Sequence, residues 1–116
     1  MSAPRKPASF ETVRALALAL PGVDEGTSYG TPAFKVKGKL FARLHQDGEA
    51  LVLRVEPEVR EAMIAAKPDH FFITDHYRDY PWVLARFGLM RPEELQVALE
   101  DAWALVAPKP KPRPSR

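Results

Sequence analysis

Four cations crowd one short stretch of this chain, Lys35, Lys37, Lys39 and Arg43, and Arg54 follows just beyond it. No Asp or Glu lies between Thr27 and Gln46. Basic side chains with no acid among them suit contact with phosphates, where each neutralised phosphate releases counterions. They also suit a plainer task, keeping a sheet face soluble and its edge unpaired. A second stretch, His76-Tyr77-Arg78-Asp79-Tyr80-Pro81-Trp82, mixes aromatic rings with a guanidinium. That composition suits stacking on a base or another planar ligand. It equally suits a loop pinned to its own sheet, with Trp82 buried and Arg78 paired to Asp75 or Asp79.

Other chemistries find little material. The chain has no cysteine, which excludes disulfides, thiolate zinc sites and thiol nucleophiles. His45, His70 and His76 stand near Asp47, Asp69, Asp75 and Asp79, but their spacing matches no ligand pattern such as HExxH. Neither a metal nor a cofactor is expected. Ser28 would need a histidine base, and nothing in the sequence locates one, so no catalytic constellation is visible and an enzyme is not expected.

A chain of 116 residues with 46% hydrophobic and 28% charged residues reads as one globular domain. No apolar run approaches the roughly 18–20 residues needed to span a bilayer, so no membrane partner is expected. Arg5 and Lys6 precede an apolar stretch, but Glu11 and Arg14 interrupt it and no small-residue cleavage site follows. It reads as a helix, and the expected location is the cytoplasm. The positive balance is a property of the tails. Arg5, Lys6, Lys109, Lys111, Arg113 and Arg116 take six of the 17 Lys and Arg, leaving 11 against 15 Asp and Glu between Pro7 and Pro108. The folded part is mildly acidic, and only a local patch could attract a polyanion.

The elements that must position these residues follow from periodicity. Residues 1–8 read as a flexible basic N-terminus, residues 9–107 as one domain, and residues 108–116 (PKPKPRPSR from Pro108) as a disordered tail without PxxP spacing. Ser9 is a candidate N-cap for a helix to about Leu20, with Phe10, Val13, Leu16, Ala17 and Leu20 on one stripe. Strands are expected at Glu25 to Tyr29, Phe34 to Val36, Leu40 to His45 and Ala50 to Val55, with a tight turn at Asp47-Gly48. That turn sets Leu44 opposite Leu51 and Ala42 opposite Leu53. Leu40, Ala42, Leu44, Leu51, Leu53 and Val55 then face the core, and Phe41, Arg43, His45, Val52 and Arg54 face away. Keeping Phe34 and Val36 in the core calls for a three-residue loop at Lys37-Gly38-Lys39, because a slip of one residue inverts every side chain. A second helix opens at Pro57 with Val59, Ala62, Met63 and Ala66 as its stripe. Strands at Phe71 to Thr74 and Trp82 to Phe87 flank the aromatic loop. A last helix opens at Pro92 and carries Leu95, Ala98, Leu99, Ala102, Trp103 and Val106. The order is α-β-β-β-β-α-β-β-α, an α+β domain with helices on one face of an antiparallel sheet.

The blocks ALPGVDEGTSYGTPAFKVKGKLFARL and ITDHYRDYPWVLARF, closed by a helix with PEEL and DAWALV, resemble the MmcQ/YjbR family over roughly Phe10 to Val106. The resemblance implies a small bacterial cytoplasmic protein with a CyaY-like, frataxin-related fold. It also implies DNA binding through two hairpins likened to a double wing. One wing would be the hairpin around Lys37-Gly38-Lys39 and the second the loop from Asp75 to Pro81. Frataxins bind iron through an acidic ridge; here the matching region holds only Glu11, Asp24 and Glu25, so iron binding does not carry over.

Two functions follow as expectations. The first is a DNA-binding module, or binder of another polyanion, that contacts the phosphate backbone without sequence preference through Lys35, Lys37, Lys39, Arg43 and Arg54. The second is a protein-interaction or small-ligand adaptor built on the loop His76, Tyr77, Arg78, Tyr80 and Trp82. A monomer is the favoured state in both.

Overall fold

The computed structural model describes residues 8–108. The helices are α1 (Phe10–Leu18), α2 (Pro57–Ala66) and α3 (Pro92–Val106). The strands are β1 (Val23–Ser28), β2 (Thr31–Val36), β3 (Lys39–Leu44), β4 (Leu51–Arg54), β5 (Phe71–Phe72) and β6 (Trp82–Ala85). All pairings are antiparallel, in the spatial order β1-β2-β3-β4-β6-β5. The α+β class and the element order are those expected from periodicity. The last two strands are shorter than expected, since Ile73 and Thr74 leave the sheet and Phe87–Leu89 form a 3-10 turn.

Ser9 caps α1 as expected: its Oγ accepts from the Thr12 amide, and Thr12 Oγ1 accepts from the Ser9 amide. In α3 the Glu94 carboxylate accepts the Arg91 amide at 2.9 Å and pairs with Lys67, just past the end of α2, at 2.9 Å. The Arg91 amide and Lys67 lower the Glu94 pKa to about 2. α3 packs across β3 and β4 and against α1. Beneath these helices lie Phe34, Phe41, Leu51, Leu53, Val83, Leu95 and Leu99, all buried. α2 lies against β5, with Met63 and Ile64 packed on this core. Its expected stripe is therefore corrected: Val59, Ala62 and Ala66 are exposed.

The hairpin between β2 and β3 corrects a second expectation. The loop has two residues, not three: Val36 pairs with Lys39, and Lys37 (φ 51°) and Gly38 (φ 80°) fill a tight turn of the type favoured between twisted strands. A two-residue turn would by itself put Arg43 in the core. The strand escapes this with a β-bulge, in which Phe34 pairs with Ala42 while Lys35 pairs with Leu40, so Phe41 is the extra residue. Phe41 and Ala42 both enter the core, and Leu40, expected there, moves to the opposite face. From Ala42 onward the expected register holds, with Leu44 opposite Leu51 and Ala42 opposite Leu53.

The face away from α1 and α3 is also not the bare basic surface expected. The chain from Ile73 to Pro81 folds over part of it, burying Ala50, Val52, Tyr77 and Leu84 with Phe72, Ile73 and Trp82 packed alongside. The expected flexible N-terminus and disordered tail fall, for residues 1–7 and 109–116, outside the described residues. Ala8, assigned to that N-terminus, is buried, and its amide donates to the Met90 carbonyl at 3.0 Å.

Candidate functional site

Between the β1–β2 turn, the middle of β3 and the Ile73–Pro81 segment, the open face of the sheet forms a cleft of about 760 Å³. Three elements supply its lining. The β1–β2 turn brings Ser28 and Tyr29, β3 and its following loop bring Leu40, Arg43, His45 and Gln46, and the far wall brings Thr74, His76, Tyr77, Tyr80 and Trp82. Val52 of β4 completes the floor. No Asp or Glu is among these residues.

Arg43 is the central side chain. The bulge at Phe41 turns it to the open face, where it is only 5% exposed. Its Nη2 donates to the Tyr77 hydroxyl at 2.6 Å, and Nη1 reaches Thr31 Oγ1 at 3.4 Å and the Leu44 carbonyl at 3.3 Å. Its guanidinium carbon lies 5.1 Å from the centre of the Tyr29 ring. Every acceptor it has among the described residues is neutral, and its Nε–H has none. A buried charge ordinarily has a counter-ion, because desolvation costs several kcal/mol.

Tyr29 is placed by backbone geometry. Ser28 pairs with Thr31, so Tyr29 and Gly30 form the turn, at φ 55° and 79°. The first position of such a turn favours Asn, Asp or Gly. A tyrosine there is strained, and this one is 80% exposed.

The aromatic wall is held from behind by a residue that neither spacing nor composition singles out. Arg60 of α2 donates through Nη1 to the carbonyls of Tyr77 (3.0 Å), Tyr80 (2.7 Å) and Trp82 (3.1 Å), and through Nη2 to that of Arg78 (2.8 Å). Rings then stack along the wall: Tyr77 meets His76 edge-on at 4.9 Å and His45 at 6.1 Å, and Tyr80 lies 6.3 Å from His76. Tyr77 is buried, Trp82 half-buried, and Tyr80 is 57% exposed. The expectation that Trp82 is buried is thus half met, and Arg78 pairs with Asp75 as one reading of the loop had it. Arg78 does not line the cleft.

His45 faces the cleft with Asp47 behind it. Asp47 Oδ2 lies 3.2 Å from His45 Nδ1, within pairing range but out of line for a hydrogen bond, and Nδ1 has no other partner among the described residues. Desolvation would raise the Asp47 pKa, but amide hydrogen bonds from Glu49 and Ala50 and the nearby His45 outweigh it and lower it. Ser28, His45 and His76, scattered in sequence, are thereby gathered in one cleft.

The remaining cations of the expected basic face divide. Lys37 and Lys39 are exposed at the β2–β3 tip. Lys35 is half-buried on the open face, with Asp24 as its strand neighbour. Arg54 is half-buried over the Trp82 ring at 5.7 Å. The exposed basic face expected of these five cations is corrected to two exposed lysines at a tip and three cations beside or within a concavity. Glu11 and Glu25 are both taken by Arg14, at 2.8 and 2.9 Å, which ties α1 to β1. Among the described residues no group of three or more acidic or histidine side chains could hold a metal.

The family model YjbR matches residues 18–105, the stretch from the end of α1 through nearly all of α3. The chain belongs to the YjbR family. The matched region contains the whole cleft. Among curated relatives, the uncharacterized proteins Rv2570 of Mycobacterium tuberculosis and Mb2600 of Mycobacterium bovis are each 36% identical over 63 residues. That match covers 53% of this chain and 49% of each relative, so the chain spans about half the length of the curated relatives it matches. The YjbR fold seen here is similar to the crystal structure of Deinococcus radiodurans protein DR2400, which carries the domain DUF419. The TM-score is 0.70, with 25% identity, over 90% of this chain and 81% of that one.

Proposed function

We propose that this YjbR domain is a small-ligand binding module whose site is the aromatic cleft on the open face of the sheet. The observation that supports it is the cleft itself, about 760 Å³, walled by Tyr29, His76, Tyr77, Tyr80 and Trp82. A concave, mostly apolar cavity of that size with a few converging polar groups is what small-molecule sites have in common. The walls are built before any ligand arrives, since Arg60 and the Tyr77–Arg43 bond fix them, so little ordering entropy is lost on binding.

The test is a thermal-shift screen of the full-length protein against small planar compounds, with random duplex DNA as a competitor. Compounds that raise the parent's melting temperature should lose their effect on a Tyr29→Ala/Tyr80→Ala variant, and DNA should not displace them. A screen without a single compound that depends on these two rings would reject the reading.

One observation supports the nucleic-acid alternative: Lys37 and Lys39 stand exposed at the tip of the β2–β3 hairpin. That reading expects duplex binding at low salt that Lys37→Ala/Lys39→Ala removes. It gains nothing from Arg43, whose guanidinium lies inside the cleft rather than on the outer surface.

A further inference from the structure

We infer that the ligand of this cleft is a small planar molecule bearing an oxyanion, carboxylate or phosphate, and that Arg43 is the residue that binds the oxyanion. The inference rests on the cleft being a ligand site and says what the site would select. Arg43 is a built feature, 5% exposed and held on three neutral acceptors from three parts of the chain: Thr31, Leu44 and Tyr77. Those bonds all leave from the terminal nitrogens, so Nε–H remains for a further acceptor. Burial without a counter-ion leaves the guanidinium charge uncompensated.

The surroundings point the same way. No carboxylate lines the cleft, which argues against a cationic ligand. Asp47 lies behind His45 and is engaged by the Glu49 and Ala50 amides, so it does not neutralise Arg43. Arg54, over the Trp82 ring, adds positive potential at the margin, while Lys35, whose strand partner is the cleft residue Leu40, is offset by Asp24 on its other side. A low-dielectric pocket strengthens a guanidinium–oxyanion contact relative to water. The planar body follows from the rings: Tyr29 and Tyr80 are exposed on opposite sides of the cleft, an arrangement that favours a flat molecule reaching between them.

Calorimetric titration of the full-length protein with benzoate, phenyl phosphate and the neutral isostere benzamide tests this. The expected result is that at least one anion binds about tenfold or more tightly than benzamide, the increment of one charge-assisted hydrogen bond. The tighter of the two anions distinguishes a carboxylate from a phosphate site. Arg43→Lys, which keeps a charge but loses Nε–H, should bring the anion and benzamide to within about threefold. Should that variant fail to fold, Tyr77→Phe decides. It removes one neutral acceptor from Arg43, so the anion-to-benzamide ratio should rise severalfold, and an unchanged ratio overturns the inference. Equal binding of all three compounds by the parent, or an anion preference that survives Arg43→Lys, overturns the role given to Arg43 and leaves the cleft as a ligand site. Absence of binding by all three at millimolar concentration overturns the inference too. The screen with Tyr29 and Tyr80 variants then separately decides whether the cleft binds anything.

Discussion

Tyr29 holds a left-handed backbone conformation that costs a non-glycine residue about 1 kcal/mol, and its ring gains little burial in return. Replacing it with Asn, which suits the turn, should therefore stabilise the protein by about 1 kcal/mol, or about 4 °C in melting temperature, while weakening ligand capture. An unchanged or lower melting temperature for Tyr29→Asn would mean the tyrosine is not strained. Glu94 offers a pH-dependent counterpart. Its pKa is lowered to about 2 in the folded protein, so its stabilising effect is complete above the unfolded value near 4.5 and fades as pH falls toward 2. Glu94→Gln should lower stability by about 1 kcal/mol at pH 7, with the gap to the parent closing between about pH 4.5 and 2 in melts across that range. Individual roles at this scale were only partly legible in sequence. The Ser9 cap was, because its partner Thr12 is three residues away. The burial of Arg43 was not, because in an alternating strand an arginine reads as solvent-facing, and the hydroxyl that covers it comes from Tyr77, 34 residues downstream.

At the scale of elements, the aromatic wall depends on one clamp. Arg60 satisfies four carbonyls of the segment from Tyr77 to Trp82, a segment with little regular pairing of its own. Arg60→Ala should cost about 2 kcal/mol and speed amide exchange through that segment while leaving exchange in α3 unchanged. Arg60→Lys should rescue little, since one ammonium cannot reproduce the planar fork. Uniform loosening of the whole domain, or none, would count against the clamp. Most elements could be read from apolar spacing, and the Asp47-Gly48 turn set the β3–β4 register correctly. The β2–β3 pairing could not be read, because two solutions keep Phe34 and Val36 inside: a longer loop, or a short turn followed by a bulge. Alternation alone does not separate them. The clue was Gly38, which suits the second position of the short turn, but Lys37 is not among the residues favoured at the first and so hid it.

For the molecule as a whole, the sheet divides its two faces between stability and binding. One face is closed by α1 and α3, and the other keeps a concavity bordered by cations in a domain that is mildly acidic overall. The two proposed functions then differ in their response to salt. Capture of a small anion by a buried guanidinium should depend weakly on ionic strength. Any duplex binding should weaken steeply, and substituting Lys35, Lys37 and Lys39 with Ala should reduce the log–log salt slope by about 3, read from titrations between low and physiological salt. A slope that ignores those lysines would place duplex contact elsewhere. Without Phe41 strand β3 would run straight, with Ala42 still beside Phe34 and Arg43 still facing the cleft, but the interior would lose a fully buried aromatic ring. A one-residue deletion at the bulge would therefore hollow the interior while sparing the cavity above it.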